Sequence, residues 1–197
     1  ILDDAFQHRK LNPDFRIVLT PYDSLFSKDY LLPMGRLRES RAGAKRADVV
    51  VVTTVAPAHL EAFESVEGIA HEKAAIIDGL QPGGVAVLNA DIATSALLQA
   101  KAHQAQARAV TFGAAEGADY RLVSVQIGDD STVVRATRQG QPVLYKVMSP
   151  GRHFAANGLA VLAVADALGL DPVISATDLG RWHPPAGRGV RERIVLD

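Results

Sequence analysis

Nine polar positions in this chain are of types and spacing that can do chemistry. Asp3 and Asp4 end the apolar start "ILDD", with Gln7 and His8 about one turn further on. A strand that delivers carboxylates to the carboxyl edge of a parallel sheet puts oxygen donors where Mg²⁺-nucleotide sites form, although an Asp pair there also serves as a turn or helix cap. His59 follows the apolar run "ADVVVVTTVAPA", and Lys73 sits in the helical stretch "EGIAHEKAAI". Taken alone, the one reads as a strand-end cap and the other as a solvated lysine. His153 and Asn157 are four apart and so share one helix face, as ligand contacts or as packing groups. Arg188 lies between glycines in "AGRGVR", where the backbone can approach a ligand and a guanidinium can grip phosphate or stack on a base. Its plain alternative is a surface arginine.

The elements that must position these groups read as an α/β protein. "RIVLT", "DVVVVTT" and "GVAVLNAD" are buried strands. Helical spacing runs from Ser65 to Leu80 through Val66, Ile69, Ala70, Ile76 and Ile77, and again from Ile92 to about Gln104. The stretch around 108–148 reads as a small antiparallel meander, with period-two runs "YRLVSVQI", "STVVRATR" and "PVLYKVM" parted by "GDDS" and "RQGQP". A helix follows from His153 to Leu168, with Phe154, Leu159, Val161, Leu162 and Ala165 as its apolar face, then a shorter one from Pro172 to Leu179. Asn89 and Asp91 follow a buried strand and read as a turn with an N-cap, or as groups facing the site, and Trp182 reads as a packing anchor.

Composition narrows the function classes. The 197 residues are 48% apolar, enough for a real core, and 21 basic against 22 acidic residues leave a formal charge of −1. That balance gives no overall field for nucleic acid or an anionic membrane. The absence of cysteine excludes disulfides and thiolate chemistry and fits a reducing cytoplasm. No apolar run approaches the roughly 18–20 residues that span a bilayer. The opening inside an apolar run and the close on "RERIVLD" read as excisions from something longer.

Two resemblances meet at residues 53/54. Residues 1–53 resemble the tetraacyldisaccharide 4'-kinases through "ILDDAFQHRKL", "LLPMGRLRES" and "RADVVVV", in that family's order. This implies that Asp3 and Asp4 serve Mg²⁺ or the catalytic network, with Gln7 and His8 beside them, in lipid A biosynthesis on a lipid A precursor. Residues 54–197 resemble the central ATP-binding domain of the Mur ligases, through "VVTTVAPAHLEAFES", "EGIAHEKAAI", "GGVAVLNAD", "PGRHFAANGLAVLAVADALG" and "PPAGRGVRERIVLD". Within that family the similarity is greatest to the ligases that add D-alanyl-D-alanine to UDP-N-acetylmuramoyl-tripeptide in peptidoglycan synthesis.

This second resemblance implies a P-loop-NTPase-like, mostly parallel sheet with flanking helices, with ATP and Mg²⁺ as cofactors. His59 would be a metal ligand and Lys73 a carbamylated lysine that helps hold the metal. Asn157, His153 and Arg188 would face nucleotide. Such ligases place a Glu on the preceding strand, and here "ILDD" would offer Asp3 or Asp4 instead. Neither segment contains the Gly-rich loop ending in Gly-Lys-Ser/Thr, so the chain alone is expected to be inactive. A kinase fragment, or a non-catalytic chimera, is the alternative.

Overall fold

The computed structural model describes residues 10, 12–19, 46–54 and 66–184, and the chain falls into two compact units, Ile1–Phe112 and Gly113–Asp197. In the first, β1 (Ile17–Leu19), β2 (Ala47–Val52), β3 (Leu80–Asn89) and β4 (Arg108–Gly113) are parallel neighbours in that order. The register pairs Val18 with Val50, Val50 with Ala86 and Val87 with Val110. Val49 to Val52 and Val85 to Leu88 are all buried, so both faces of the two central strands are covered. That two-sided burial is why these strands read as unbroken apolar runs.

Helix α1 (Val66–Ala74), a 3₁₀ turn (Ala75–Gly79) and α2 (Ser95–Gln104) close one face. Ile69, Ala70, Ile76, Ile77, Leu98 and Ala102 pack there against Val50, Val52, Ala86 and Leu88. At the opposite end of the strands from the chemistry, Asp48 ties three segments together. One carboxylate oxygen accepts the Arg16 backbone N–H at 2.7 Å and the other accepts the Gln81 side-chain amide.

The second unit is a meander packed on a helix. Strands β5 (Tyr120–Ile127), β6 (Thr132–Arg138) and β7 (Gln141–Val147) are antiparallel neighbours. Gln139 and Gly140 turn β6 into β7 with φ of 47° and 83°, the two positive values that a tight hairpin requires. Helix α3 (Arg152–Ala167) lays Ala155, Gly158, Leu159, Leu162 and Ala163 into the interior. Gly158 is there because of Tyr145: a Cβ at this position would stand 2.7 Å from the ring's Cε2. Helix α4 (Pro172–Leu179) starts where the sequence indicates, with Asp171 accepting from the N–H groups of Val173 and Ile174 at 2.8 and 3.0 Å and Pro172 in the first turn.

Several sequence expectations are corrected. The meander does not begin near residue 108: Arg108–Gly113 pairs in parallel with β3, because it follows a helical crossover rather than a hairpin turn. The helix expected through Leu80 tightens at Ala75 and gives way to β3 at Leu80, so Pro82 and Gly83 lie within the strand. There the register slips between Ala47↔Leu80 and Val49↔Val85, and Gly83 takes φ of 79°. Helix α2 starts at Ser95 rather than Ile92. Val161 faces outward at 50% exposure, off the buried stripe of α3. Among the described residues no helix is long and apolar enough to cross a membrane.

Candidate functional site

In the first unit, the carboxyl ends of β2 and β3 carry a polar cluster. Beyond Val52 the chain leaves the sheet through Thr53 and Thr54, both half-buried, and two side chains hold its carbonyls. Asn89, the last residue of β3, donates its amide to the Thr53 carbonyl at 2.6 Å, and its own oxygen accepts the Asp91 N–H at 2.8 Å. Lys73 reaches in from α1 and donates its ammonium to the Thr54 carbonyl at 3.2 Å. It is only 3% exposed, one of few polar side chains so deeply placed among the described residues. Long cationic side chains are seldom buried without a reason, and burial beside strand carboxyl ends in an α/β sheet is where ligand sites form.

Lys73 is therefore not the solvated lysine of the plain reading. The signal for its burial was in the sequence, since it lies three and four residues after Ala70 and Ile69 on the buried face of α1. The residues not anticipated are Thr53 and Thr54, whose carbonyls form the shelf. Asn89 makes the expected turn but caps no helix: the N-cap of α2 is Thr94, which makes no side-chain cap bond.

An ammonium cannot ligate a cation, so Lys73 fits Mg²⁺ only after reaction with CO₂ to a carbamate, which supplies the hard oxygen donors that Mg²⁺ prefers. The carbamate nitrogen keeps one N–H, which can still donate to the Thr54 carbonyl. Among the described residues there is no cluster of three or more His, Cys, Asp or Glu placed to hold a metal. Asp3, Asp4, Gln7, His8, His59 and Arg188 lie outside the described residues.

In the second unit, two sequence candidates lie on α3. His153 and Asn157 are both exposed, one turn apart on the same helix face, so His153 is not the interior packing group of the plain alternative. Its ring rests against Phe154 with centroids 4.1 Å apart, and Phe154 meets Trp182 at 6.0 Å, the half-exposed anchor at the end of α4. The entry to α3 is fixed from β6. The Thr132 hydroxyl donates to the Ser149 carbonyl at 2.8 Å and accepts the Gly151 N–H at 3.0 Å. Gly151 holds φ of 151°, and a Cβ there would meet the His153 ring at 2.7 Å, so the glycine sets both the backbone path and the ring's place.

Behind this face, Asp166 of α3 accepts from the Tyr120 hydroxyl at 2.5 Å and from the Arg138 guanidinium, pinning the helix to β5 and β6. Burial first, and the bond to Asp166 second, push the Tyr120 phenol up to about 12. Tyr145, whose hydroxyl donates to the Ala155 carbonyl at 2.5 Å, is also raised, by burial. A groove of about 630 Å³ runs between β7 and α4, lined by Leu144, Lys146 and Val173 among others. None of the sequence candidates lines it, so its volume carries no weight in locating the chemistry.

The Mur ligase middle domain matches residues 33–165, reaching upstream into the kinase-like segment. The UDP-N-acetylmuramate--L-alanine ligase of Kineococcus radiotolerans is 37% identical over 148 residues, 75% of this chain and 30% of the relative. The tetraacyldisaccharide 4'-kinase of Flavobacterium johnsoniae is 60% identical over 53 residues, 27% of this chain and 16% of the relative. The MurF ligase of Thermotoga maritima, solved in complex with ADP, is similar in fold with a TM-score of 0.59 and 26% identity, over 74% of this chain and 33% of that one. The chain thus spans about a sixth of the kinase and under a third of the L-alanine ligase. By its matched domain, the chain belongs to the Mur ligase family.

Proposed function

We propose that this chain is the ATP-handling core of a cytoplasmic peptidoglycan-precursor ligase. In this reading ATP phosphorylates the terminal carboxylate of UDP-N-acetylmuramoyl-tripeptide, and the amine of D-alanyl-D-alanine displaces phosphate from the acyl phosphate. The observation that carries it is Lys73, 3% exposed at the carboxyl end of β2 with its Nζ on the Thr54 carbonyl. The ammonium loses one proton, its amine nitrogen attacks CO₂ to form a C–N bond, and loss of a second proton turns the buried cation into a carboxylate-like donor. His59 and Asp3 or Asp4 complete the donor set, the aspartate standing where related ligases use glutamate. Asn157, with His153 beside it, orients the adenine, and Arg188 grips phosphate. Mg²⁺, when bound, neutralises phosphate charge.

The 197 residues contain no Gly-Lys-Ser/Thr phosphate loop, so the purified chain is expected to hydrolyse ATP no faster than background. Hydrolysis above background that Lys73→Ala abolishes would overturn that expectation. The ligase reading itself is tested by joining the chain to a phosphate-loop segment and a C-terminal domain taken from a Mur ligase. Phosphate release that requires both UDP-N-acetylmuramoyl-tripeptide and D-alanyl-D-alanine supports it. The identity of 60% over 53 residues to a tetraacyldisaccharide 4'-kinase favours a second reading, in which Asp3 and Asp4 carry the metal, Gln7 and His8 lie nearby, and the acceptor is a hydroxyl of a lipid A precursor. Phosphate transfer to that lipid without the peptide substrates would carry this alternative instead.

A further inference from the structure

The formal charge of −1 hides a segregation within the second unit. Every charged side chain in β5, β6 and β7 is cationic: Arg121, Arg135, Arg138 and Lys146. Arg138 turns toward α3 and pairs with Asp166. The other three are exposed on the opposite face of the sheet, where Tyr120, Leu122, Val134, Tyr145 and Val147 are the buried alternates. The register sets them on one diagonal. Arg121 is opposite Thr137, Arg135 is opposite Ser124 and Leu144, and Lys146 is opposite Val133. Neighbouring cations are thus diagonal partners across adjacent strands, about 7–8 Å apart. Three like charges at that spacing repel one another, an arrangement that an anionic partner relieves.

What surrounds the cations narrows the partner. Leu144 and Val123 stand 63% and 62% exposed beside them, and Leu144 and Lys146 also border the groove whose far wall is α4 with its exposed Val173. The face carries no aromatic side chain on which a nucleic-acid base could stack. Backbone N–H groups of a sheet lie in its plane rather than along its face, so none converges there on a single small phosphate. A broad sheet face mixing cations with protruding aliphatics matches an anionic bilayer, whose head groups meet the charges while the aliphatics enter the interfacial layer. We propose that the outer face of β5–β7 docks on an anionic lipid membrane. This surface is independent of the nucleotide chemistry assigned above.

The test is co-sedimentation of the full chain with vesicles of phosphatidylcholine, alone or mixed with phosphatidylserine. Each cation near such a surface is worth about fivefold in partition, so three give about a hundredfold preference for the anionic vesicles. That preference should vanish in molar salt, where the screening length falls to about 3 Å. The combined Arg121→Glu, Arg135→Glu and Lys146→Glu variant should lose it, with its thermal unfolding checked against the parent. A second variant guards against misfolding: neutralising Asp129 and Asp130, in the turn beside the Lys146 end, with Asp→Asn changes should strengthen binding. Equal partition into both vesicle types, or unchanged binding on charge reversal, overturns the proposal. Capture by soluble polyglutamate as strong as by the vesicles also overturns it, in favour of an acidic protein.

Discussion

Substituting Gly158→Ala tests how tightly α3, which carries His153 and Asn157, is held on its sheet. The added methyl would sit 2.7 Å from Tyr145 Cε2 and 3.3 Å from Val147 Cγ2. Neither neighbour has room to yield, since Tyr145 is 2% and Val147 3% exposed. The ring is further pinned because its hydroxyl donates to the Ala155 carbonyl on the same helix, so moving it away breaks a buried hydrogen bond. Overpacking costs about 1–3 kcal/mol, and stranding the phenol adds about 1–3 kcal/mol. Against these, alanine in a helix interior gains about 1 kcal/mol over glycine. The balance is about 1–5 kcal/mol of destabilisation, or about 2–4 °C in Tm for each kcal/mol in a chain of this size. Urea unfolding followed by Trp182 fluorescence reads it, because that indole packs against Phe154 of α3. In a Tyr145→Leu background the same change should become neutral or stabilising, the coupling that a double-mutant cycle isolates. A higher urea midpoint for Gly158→Ala in the parent background would refute the reasoning.

Asp48→Ala leaves the Arg16 N–H and the Gln81 amide without their shared acceptor, and should cost about 1–3 kcal/mol, with the amides of β1 losing hydrogen-exchange protection first. Asp171→Ala removes the N-cap of α4 and should cost about 1 kcal/mol, read as early loss of protection at Val173 and Ile174. The raised Tyr120 phenol contributes stability that is fully present below its ordinary value of 10.0 and is lost as pH rises to about 12. Unfolding midpoints should therefore fall between pH 10 and 12, and Tyr120→Phe should flatten that part of the decline. An undiminished slope in Tyr120→Phe would count against the assignment.

The sequence carried local pattern well and partner choice poorly. The ends of α4 were legible because Asp171, Pro172 and Gly180 are chemical punctuation, and the runs of β5 to β7 because one face of each is solvated. Strand β4 was misgrouped because "RAVTFG" has no signature of its neighbour: parallel pairing to β3 is fixed by the α2 crossover, a long-range event that periodicity does not encode. The same limit applies to the site. Motif context singled out Lys73, yet its contact with Thr54 depends on where α1 docks on β2, and the exposure of His153 depends on how α3 is rotated by Tyr145 and Asp166. The division at residues 53/54 is one of resemblance rather than packing. Strand β2 pairs in parallel with β1 on one side and β3 on the other, so both segments contribute to one sheet.

Carbamylation of Lys73 is the central claim, and ¹³C NMR of the chain equilibrated with ¹³C-bicarbonate and Mg²⁺ tests it most directly. The account predicts a protein-bound carbamate resonance that persists through buffer exchange, strengthens with Mg²⁺ and is absent from Lys73→Ala. No such resonance, or one that survives in Lys73→Ala, would contradict it.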